Sequence, residues 1–419
     1  MKRRLATAAL SAFTLVAPGA LAQVPKEQLQ VPPATAHKFV IVSPAGQHGT
    51  SAVWRTTDSS VVSRDSMLLR GMVWNLDETI HLGPNGQPDH IVIRGVTPQG
   101  EAGEIFAVVD GDAKWKSPID MGTTKYDESS HYVPYGGTFS SFGTFIEALY
   151  RAPSHSLTLL PGGKARLARL TTATVGKGPT RKTVTAYTVE GLSLSPSPVW
   201  MDGGEFFGFT SVMGLLPERY GDALLPLQKV QDEALARRGP AMVRRFGQVA
   251  PKPVAFTHVK LFDAEGGRFL DDQTVIADNG RIVAVGGVGS TKVPANAQVI
   301  DGTGKSLVPG LWDAHMHVGD DAQGIMLLSM GVTSGRDPGA VIEPTIVRNR
   351  RIAKGQLLFP KIYSSVLIDG KGPLQAQVAI SVASAEEAVA AVRKAKKNGF
   401  TGVKFYTSMK PEWLRAGIA

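Results

Sequence analysis

Val308-Pro309-Gly310-Leu311-Trp312-Asp313-Ala314-His315-Met316-His317 decides how the C-terminal part of this chain is read. A Pro-Gly break opens a short apolar run that ends in two histidines separated by one residue. Such a run suits a β-strand, here residues 311–318. A strand alternates its faces with period two, so both imidazoles would project from one side. Two rings so placed can grip one divalent metal. The plainer alternative is a pair of structural histidines.

Working outward, residues 254–307 carry short β-type runs. The stretch from Gln273 to Gly286 reads as two strands around Asn279-Gly280, a strong hairpin signal. After His317 the pattern alternates strand and helix, with strands expected over residues 332–337, 361–368 and 403–406. Ser384 and Glu387 form an S-x-x-E capping box that opens a helix running to about Lys397. Residues 309–419 hold four βα units, whereas an eight-stranded barrel needs roughly 250 residues. Before all this, residues 23–215 are rich in Gly, Ser, Thr and Pro. They contain strand-like runs at Ser156 to Leu160, Thr183 to Val189 and Val199 to Phe209. This part reads as an all-β domain, an open half-barrel, joined by a helical linker over 216–250.

Every fixed position of P-G-x-x-D-x-H-x-H is filled here, and the run resembles the first-strand metal motif of the amidohydrolase superfamily. Asp301-Gly302-x-Gly304-Lys305 and the approach to Pro309 are similar to the lead-in from that family's small β-sandwich, expected over 251–308. Gly402-Val403-Lys404-Phe405-Tyr406 resembles the fourth-strand element of members whose lysine is carboxylated by CO2. Gly331-Val332-Thr333-Ser334-Gly335-Arg336-Asp337 resembles a second-strand element. The resemblance is to exported, carboxylated-lysine members of the imidazolonepropionase and prolidase kind. It implies a multidomain fold: an N-terminal all-β domain, a small β-sandwich, then the first half of a (β/α)8 TIM barrel, C-terminally truncated.

The resemblance also implies a function. His315, His317 and a carboxylated Lys404 would be metal ligands in a site that takes two divalent ions, zinc first among them. Metal-activated water would hydrolyse a carbon–nitrogen bond in a small amide, cyclic amide or dipeptide. Asp313 would either support the metal or hydrogen-bond at the strand end, and Arg336 and Asp337 would either organise the pocket or, more simply, pair with each other. No histidine follows His317, so the family's two later histidines and its proton-transfer aspartate are expected beyond Ala419, and this chain is expected to be inactive alone. The other reading is an envelope ligand- or lipid-binding protein. A cleft lined by Phe206, Phe207 and Phe209 would mark it, with the barrel portion non-catalytic.

Other features exclude more than they assign. Lys2, Arg3 and Arg4, the apolar run over residues 5–16 and Ala20-Leu21-Ala22 read as a signal peptide spanning 1–22, cleaved after Ala22. A periplasmic or secreted protein is therefore expected, without stable membrane insertion. Losing those three cations lowers the formal charge from +9 to a modest value, and the basic residues are scattered, so nucleic acid is not an expected partner. There is no cysteine, which removes disulfides and lipid-modified cysteine. His258 and the six histidines from His37 to His155 are expected to be structural. Gly304-Lys305-Ser306 lacks the upstream glycine of a phosphate loop, since Val299 stands there. No G-x-S-x-G is present, so serine hydrolase chemistry has no support. Oligomerisation is left open.

Overall fold

The computed structural model describes residues 26–247 and 252–419. The signal peptide expected over 1–22 lies outside the described residues. The chain divides into two compact units, one running to Gln231 and including 372–377, the other formed by the rest.

The first unit holds two sheets. Its larger sheet is an antiparallel meander from His37–Ser43 through Gly46–Arg55, Val61–Leu69, Met72–Leu82, Pro88–Thr97, Glu104–Val109 and Asp112–Lys116 to Met121–Lys125. Gly214–Pro217 returns to pair with its first strand. The second sheet orders Ser130–Tyr132, Ser156–Leu160, Lys164–Val175, Lys182–Glu190, Ser197–Asp202 and Glu205–Gly208, with only the first pair parallel. The last hairpin turns on Gly203 and Gly204 at φ 59° and 105°. Two successive positive φ values are what a tight two-residue hairpin turn demands, and glycine supplies them without strain.

The all-β expectation for residues 23–215 fails at a helix over Ser141–Arg151. Phe145, Ile146 and Leu149 recur at helical spacing and are all buried in the core between elements of both sheets. The proposed Phe206, Phe207, Phe209 cleft is absent. Strand alternation sends Phe206 into the cluster around Leu149 and Phe207 into a separate cluster around Trp200 and Leu216. Both rings are core, so the binding reading loses the feature that would have marked it.

The second unit begins at Asp232, within the helix Leu224–Ala236, and continues with the helix Gly239–Phe246. Next comes a mixed sheet ordered Arg281–Gly287, Arg268–Asp278, Val254–Asp263, Gln298–Asp301, with Ser306–Leu307 also beside Val254–Asp263. Asn279 and Gly280, at φ 49° and 72°, make the expected hairpin turn. A sandwich requires two packed layers. Among the described residues these strands form one hydrogen-bonded sheet, buried at its centre, where the consecutive Val275 and Ile276 are both covered, while Ile282, Val283, Val285 and Val299 are exposed.

The remaining sheet is parallel. Leu311–Asp313, Val332–Ala340, Lys361–Gly370 and Gly402–Phe405 follow one another across it. Ile368 pairs with both Phe405 and Ile380, which places the short strand Ile380–Val382 on the opposite edge from Gly402–Phe405. Helices Ala322–Ser329, Ile342–Ala353, Ala385–Lys397 and Pro411–Ile418 separate or follow these strands. Ile342, Val366, Ile368, Ala388 and Ala391 form the core beneath them. Ser384 caps its helix by accepting from Glu387 N, but Glu387 reaches back to Ala383 N rather than to the cap itself. The result is an open half of a βα barrel; in complete barrels of this kind active sites lie at the carboxyl ends of the strands. Among the described residues no helix is long and apolar enough to cross a membrane.

Candidate metal site

The first barrel strand is shorter than its sequence suggests. It stops at Asp313, whose Oδ1 accepts the His315 N–H at 3.1 Å and turns the chain. His315 and His317 therefore lie just past the strand end, not within it. Alternation survives because Met316 N donates to Arg336 O at 2.9 Å. The buried Met316 side chain lies over Gly335, where a Cβ would sit 2.4 Å from its sulfur. With Met316 pinned to the second strand, the imidazoles on either side of it approach each other. Their centroids are 5.4 Å apart and the rings nearly perpendicular.

His317 is held further. Its Nδ1 lies 3.2 Å from Oδ1 of the buried Asp337, which also accepts Gly339 N at 3.0 Å. Of the two expectations for Asp337 and Arg336, mutual pairing is not what the structure shows. Neighbouring strand residues face opposite ways, and Asp337 serves His317 while Arg336 is exposed. Gly339 lies beneath the imidazole, where a Cβ would fall 2.6 Å from Cε1. Gln323 ties down the next turn, donating to His317 O at 3.0 Å and accepting Gly319 N at 2.9 Å. Neither Gly339 nor Gln323 was marked by the sequence, since each acts through backbone geometry that no motif encodes.

Behind Asp337 lies Arg348, on the helix Ile342–Ala353. It is buried, and its Nε and Nη2 have no hydrogen-bond partner among the described residues. Burial pushes its proton affinity down, while the charges of Asp337 and Asp321 push it up. Its guanidinium also sits 5.5 Å from the Phe359 ring centroid.

Lys404 lies on Gly402–Phe405, opposite Leu367 of the third strand, with Nζ 5.1 Å from the Tyr406 ring centroid. A cavity of about 410 Å³ brings Lys404 together with His315, Arg336, Pro338 and Phe405. His317 is not among its lining residues. Two of the three expected ligands thus share a cavity, and the third joins them through its neighbour two residues away. Among the described residues no three His, Cys, Asp or Glu side chains converge as a metal cluster. The donor set fits a divalent metal only with Lys404 as the third member. A protonated amine has no lone pair to give, so Lys404 fits as its carbamate and not as an ammonium.

The other histidines lie elsewhere. His131 is fully buried, its Nδ1 2.8 Å from Gln87 Oε1, and burial pushes it down to about 3. His258 pairs with Asp272 at 2.8 Å on the mixed sheet.

No family model and no curated protein matched the chain. Among solved structures, 40% of the chain is similar to 46% of a putative prolidase from Bifidobacterium longum, at 28% identity and a TM-score of 0.36. A prolidase complexed with N-methylphosphonate-L-proline matches 40% of the chain over 53% of its own, at 23% identity and a TM-score of 0.34. A bottromycin amidohydrolase matches 42% over 38% of its own chain, at 23% identity and a TM-score of 0.35. The chain spans about half the length of the solved structures that it matches.

Proposed function

We propose that the second unit is the metal-binding part of a hydrolase that cuts carbon–nitrogen bonds in small amides, cyclic amides or dipeptides. His315, His317 and carboxylated Lys404 are its ligands. The observation that carries this reading is the support beneath the two histidines. A buried carboxylate on the remote ring nitrogen of an imidazole is how metal-binding histidines are oriented. Asp337 accepts the His317 Nδ1–H, which leaves the Nε2 lone pair free to bind. Met316, fixed to the second strand, sets the separation of the two rings.

Lys404 contributes once its amine, while neutral, takes up CO2. The carbamate is anionic and offers two oxygens from the fourth strand. When bound, a divalent metal such as zinc supplies Lewis acidity, making water nucleophilic near neutral pH and polarising a scissile carbonyl. Arg336, in the same cavity as His315 and Lys404, holds a fixed positive charge beside the substrate's acyl or carboxylate oxygens. An exported location rests on the Lys2, Arg3, Arg4 leader and its Ala20-Leu21-Ala22 end.

The test is metal uptake by the purified chain in bicarbonate buffer, read by equilibrium dialysis with zinc, beside His315→Ala and His317→Ala. Stoichiometric uptake lost in both variants, with circular dichroism unchanged, is the expected result. Uptake that ignores both substitutions sinks the assignment. A dipeptide and cyclic-imide hydrolysis panel then addresses substrate class.

A further inference from the structure

The inner face of the large sheet in the first unit is apolar except for one patch. Cross-strand pairing sets Ser63 beside Glu78, Glu78 beside Ile93, and Ile93 beside Glu104, a row across four strands. Asp65, two residues along from Ser63, faces the same way. Asp65, Glu78 and Glu104 are all buried. Three carboxylates so close together need donors, and one segment provides them.

Residues 135–141 cross the patch as a strap. Glu104 accepts Tyr135 N at 3.0 Å, Gly136 N at 3.2 Å and the Tyr132 hydroxyl at 2.7 Å. Glu78 Oε2 accepts Thr138 N at 2.8 Å and the Ser141 hydroxyl at 2.5 Å. Asp65 accepts Phe139 N at 2.8 Å and the Ser51 hydroxyl. Gly137 lies so close that a Cβ would stand 2.8 Å from Glu78 Oε2. The strap then runs into the helix Ser141–Arg151. One atom is left over: Glu78 Oε1 is buried and has no hydrogen-bond partner among the described residues.

We propose that residues 135–141 form a pH-sensitive strap, held closed while Glu78 and Asp65 carry protons and released from the sheet as they ionise. The charged groups that act on the pair come from several elements. Glu104 and Asp65 both oppose ionisation of Glu78, while the strap and helix offer it only the neutral donors Thr138 and Ser141. Arg64, Asp65's own neighbour, favours ionisation of Asp65, but after the Ser51 and Phe139 hydrogen bonds in weight. Asp120 adds to the burial that raises Glu104. Burial outweighs the hydrogen bonds at both acids, lifting Asp65 to about 6 and Glu78 to about 7. Hydrogen bonds to a carboxylate strengthen when it ionises, yet here desolvation and mutual repulsion win.

The direction follows from linkage. Both acids bind protons more tightly with the strap closed than when opening brings them to water. Closure is therefore fully supported below the ordinary carboxylate range, and that support is lost as pH rises through about 6 and about 7.

Amide hydrogen exchange on the full chain, corrected for the intrinsic chemical rate, tests this at Tyr135, Gly136, Thr138 and Phe139. Their protection should fall about 10-fold or more from pH 5 to pH 8, a drop expected for a carboxyl group bound two or more units more tightly in the closed form. Amides inside the helix serve as controls. In Glu78→Gln protection at pH 8 should exceed that of the unmodified protein. Protection in the unmodified protein that is flat across this range overturns the proposal, as does an equal fall in Glu78→Gln. Should that variant not fold, infrared spectroscopy on the unmodified protein decides. A buried carboxylic-acid carbonyl band that disappears between pH 6 and 8 supports the strap, and its absence at pH 5 refutes it.

Discussion

Gly339→Ala separates orientation of His317 from stability of the fold. Gly339 lies at the end of the second barrel strand and is not in the left-handed region, so its backbone accepts alanine. The new methyl carbon would fall 2.6 Å from His317 Cε1 and 2.7 Å from Nδ1. Carbon atoms rest at about 3.5–4.0 Å, so the ring must retreat by roughly 1 Å. The His317 Nδ1 to Asp337 Oδ1 distance of 3.2 Å is already at the long end for a hydrogen bond, and a retreat of that size breaks it. The ring is 61% exposed and swings into solvent at little cost, so stability should change by less than about 1 kcal/mol. Loss of the orienting carboxylate should weaken metal binding about 10–100-fold, or roughly 1.4–2.7 kcal/mol. The assay is a zinc competition titration, with imidazole nitrogen shifts recorded on the metal-free protein. Unaltered His317 shifts in the variant would refute the steric argument itself. Altered shifts with unaltered affinity would instead remove His317 from the ligand set.

Four further outcomes are expected. Leu149→Ala, at a fully buried position in the helix between the sheets, should destabilise the first unit by about 2–5 kcal/mol in urea denaturation. A change under about 1 kcal/mol would mean that helix is not core. Ser384→Ala removes the cap on Glu387 N and should cost about 1 kcal/mol, whereas Ser384→Asp should cost almost nothing. His131 is held neutral, down to about 3, so its contribution is present above the ordinary histidine range and is lost as pH falls from about 6.5 toward 3. That loss, a few kcal/mol at most, should shrink in His131→Gln, and identical acid limbs for the two proteins would contradict it. Zinc uptake by the unmodified chain should rise with added bicarbonate and not do so in Lys404→Ala, and an equal response in both would exclude the carbamate.

The half-barrel was legible because each of its signals is local. Val332, Val366 and Ile368 sit in apolar runs, glycines and capping residues punctuate them, and the Pro309 to His317 run marks where the first strand ends. What escaped depends on partners distant in sequence. The helix over Ser141–Arg151 hides in a Gly- and Ser-rich stretch, and its Phe145, Ile146 and Leu149 gain meaning only with two sheets to cover them. The first barrel strand looked longer because Val318 extends an apolar pattern, whereas the Asp313 side chain takes the next amide and ends the strand. Arg336 and Asp337 looked like a pair when read side by side, yet a strand turns them to opposite faces. Gly339 and Arg348 act on His317 and Asp337 across elements, a relation that single-sequence spacing does not carry. The strap of residues 135–141 was invisible for the same reason, since Asp65, Glu78 and Glu104 share a face only once their strands pair.

The exposed valines of the mixed sheet, Val283 and Val285 on its edge strand and Val299 on the face opposite Val285, have a consequence for anyone handling this protein. Oily side chains on a sheet face are forced together by salts that are excluded from protein surfaces, such as sulfate and phosphate. The molecule should therefore cling to phenyl resin at modest ammonium sulfate and salt out early. It should stay dispersed longest in dilute, chloride-based buffers, where those side chains are least driven to find another copy of the protein.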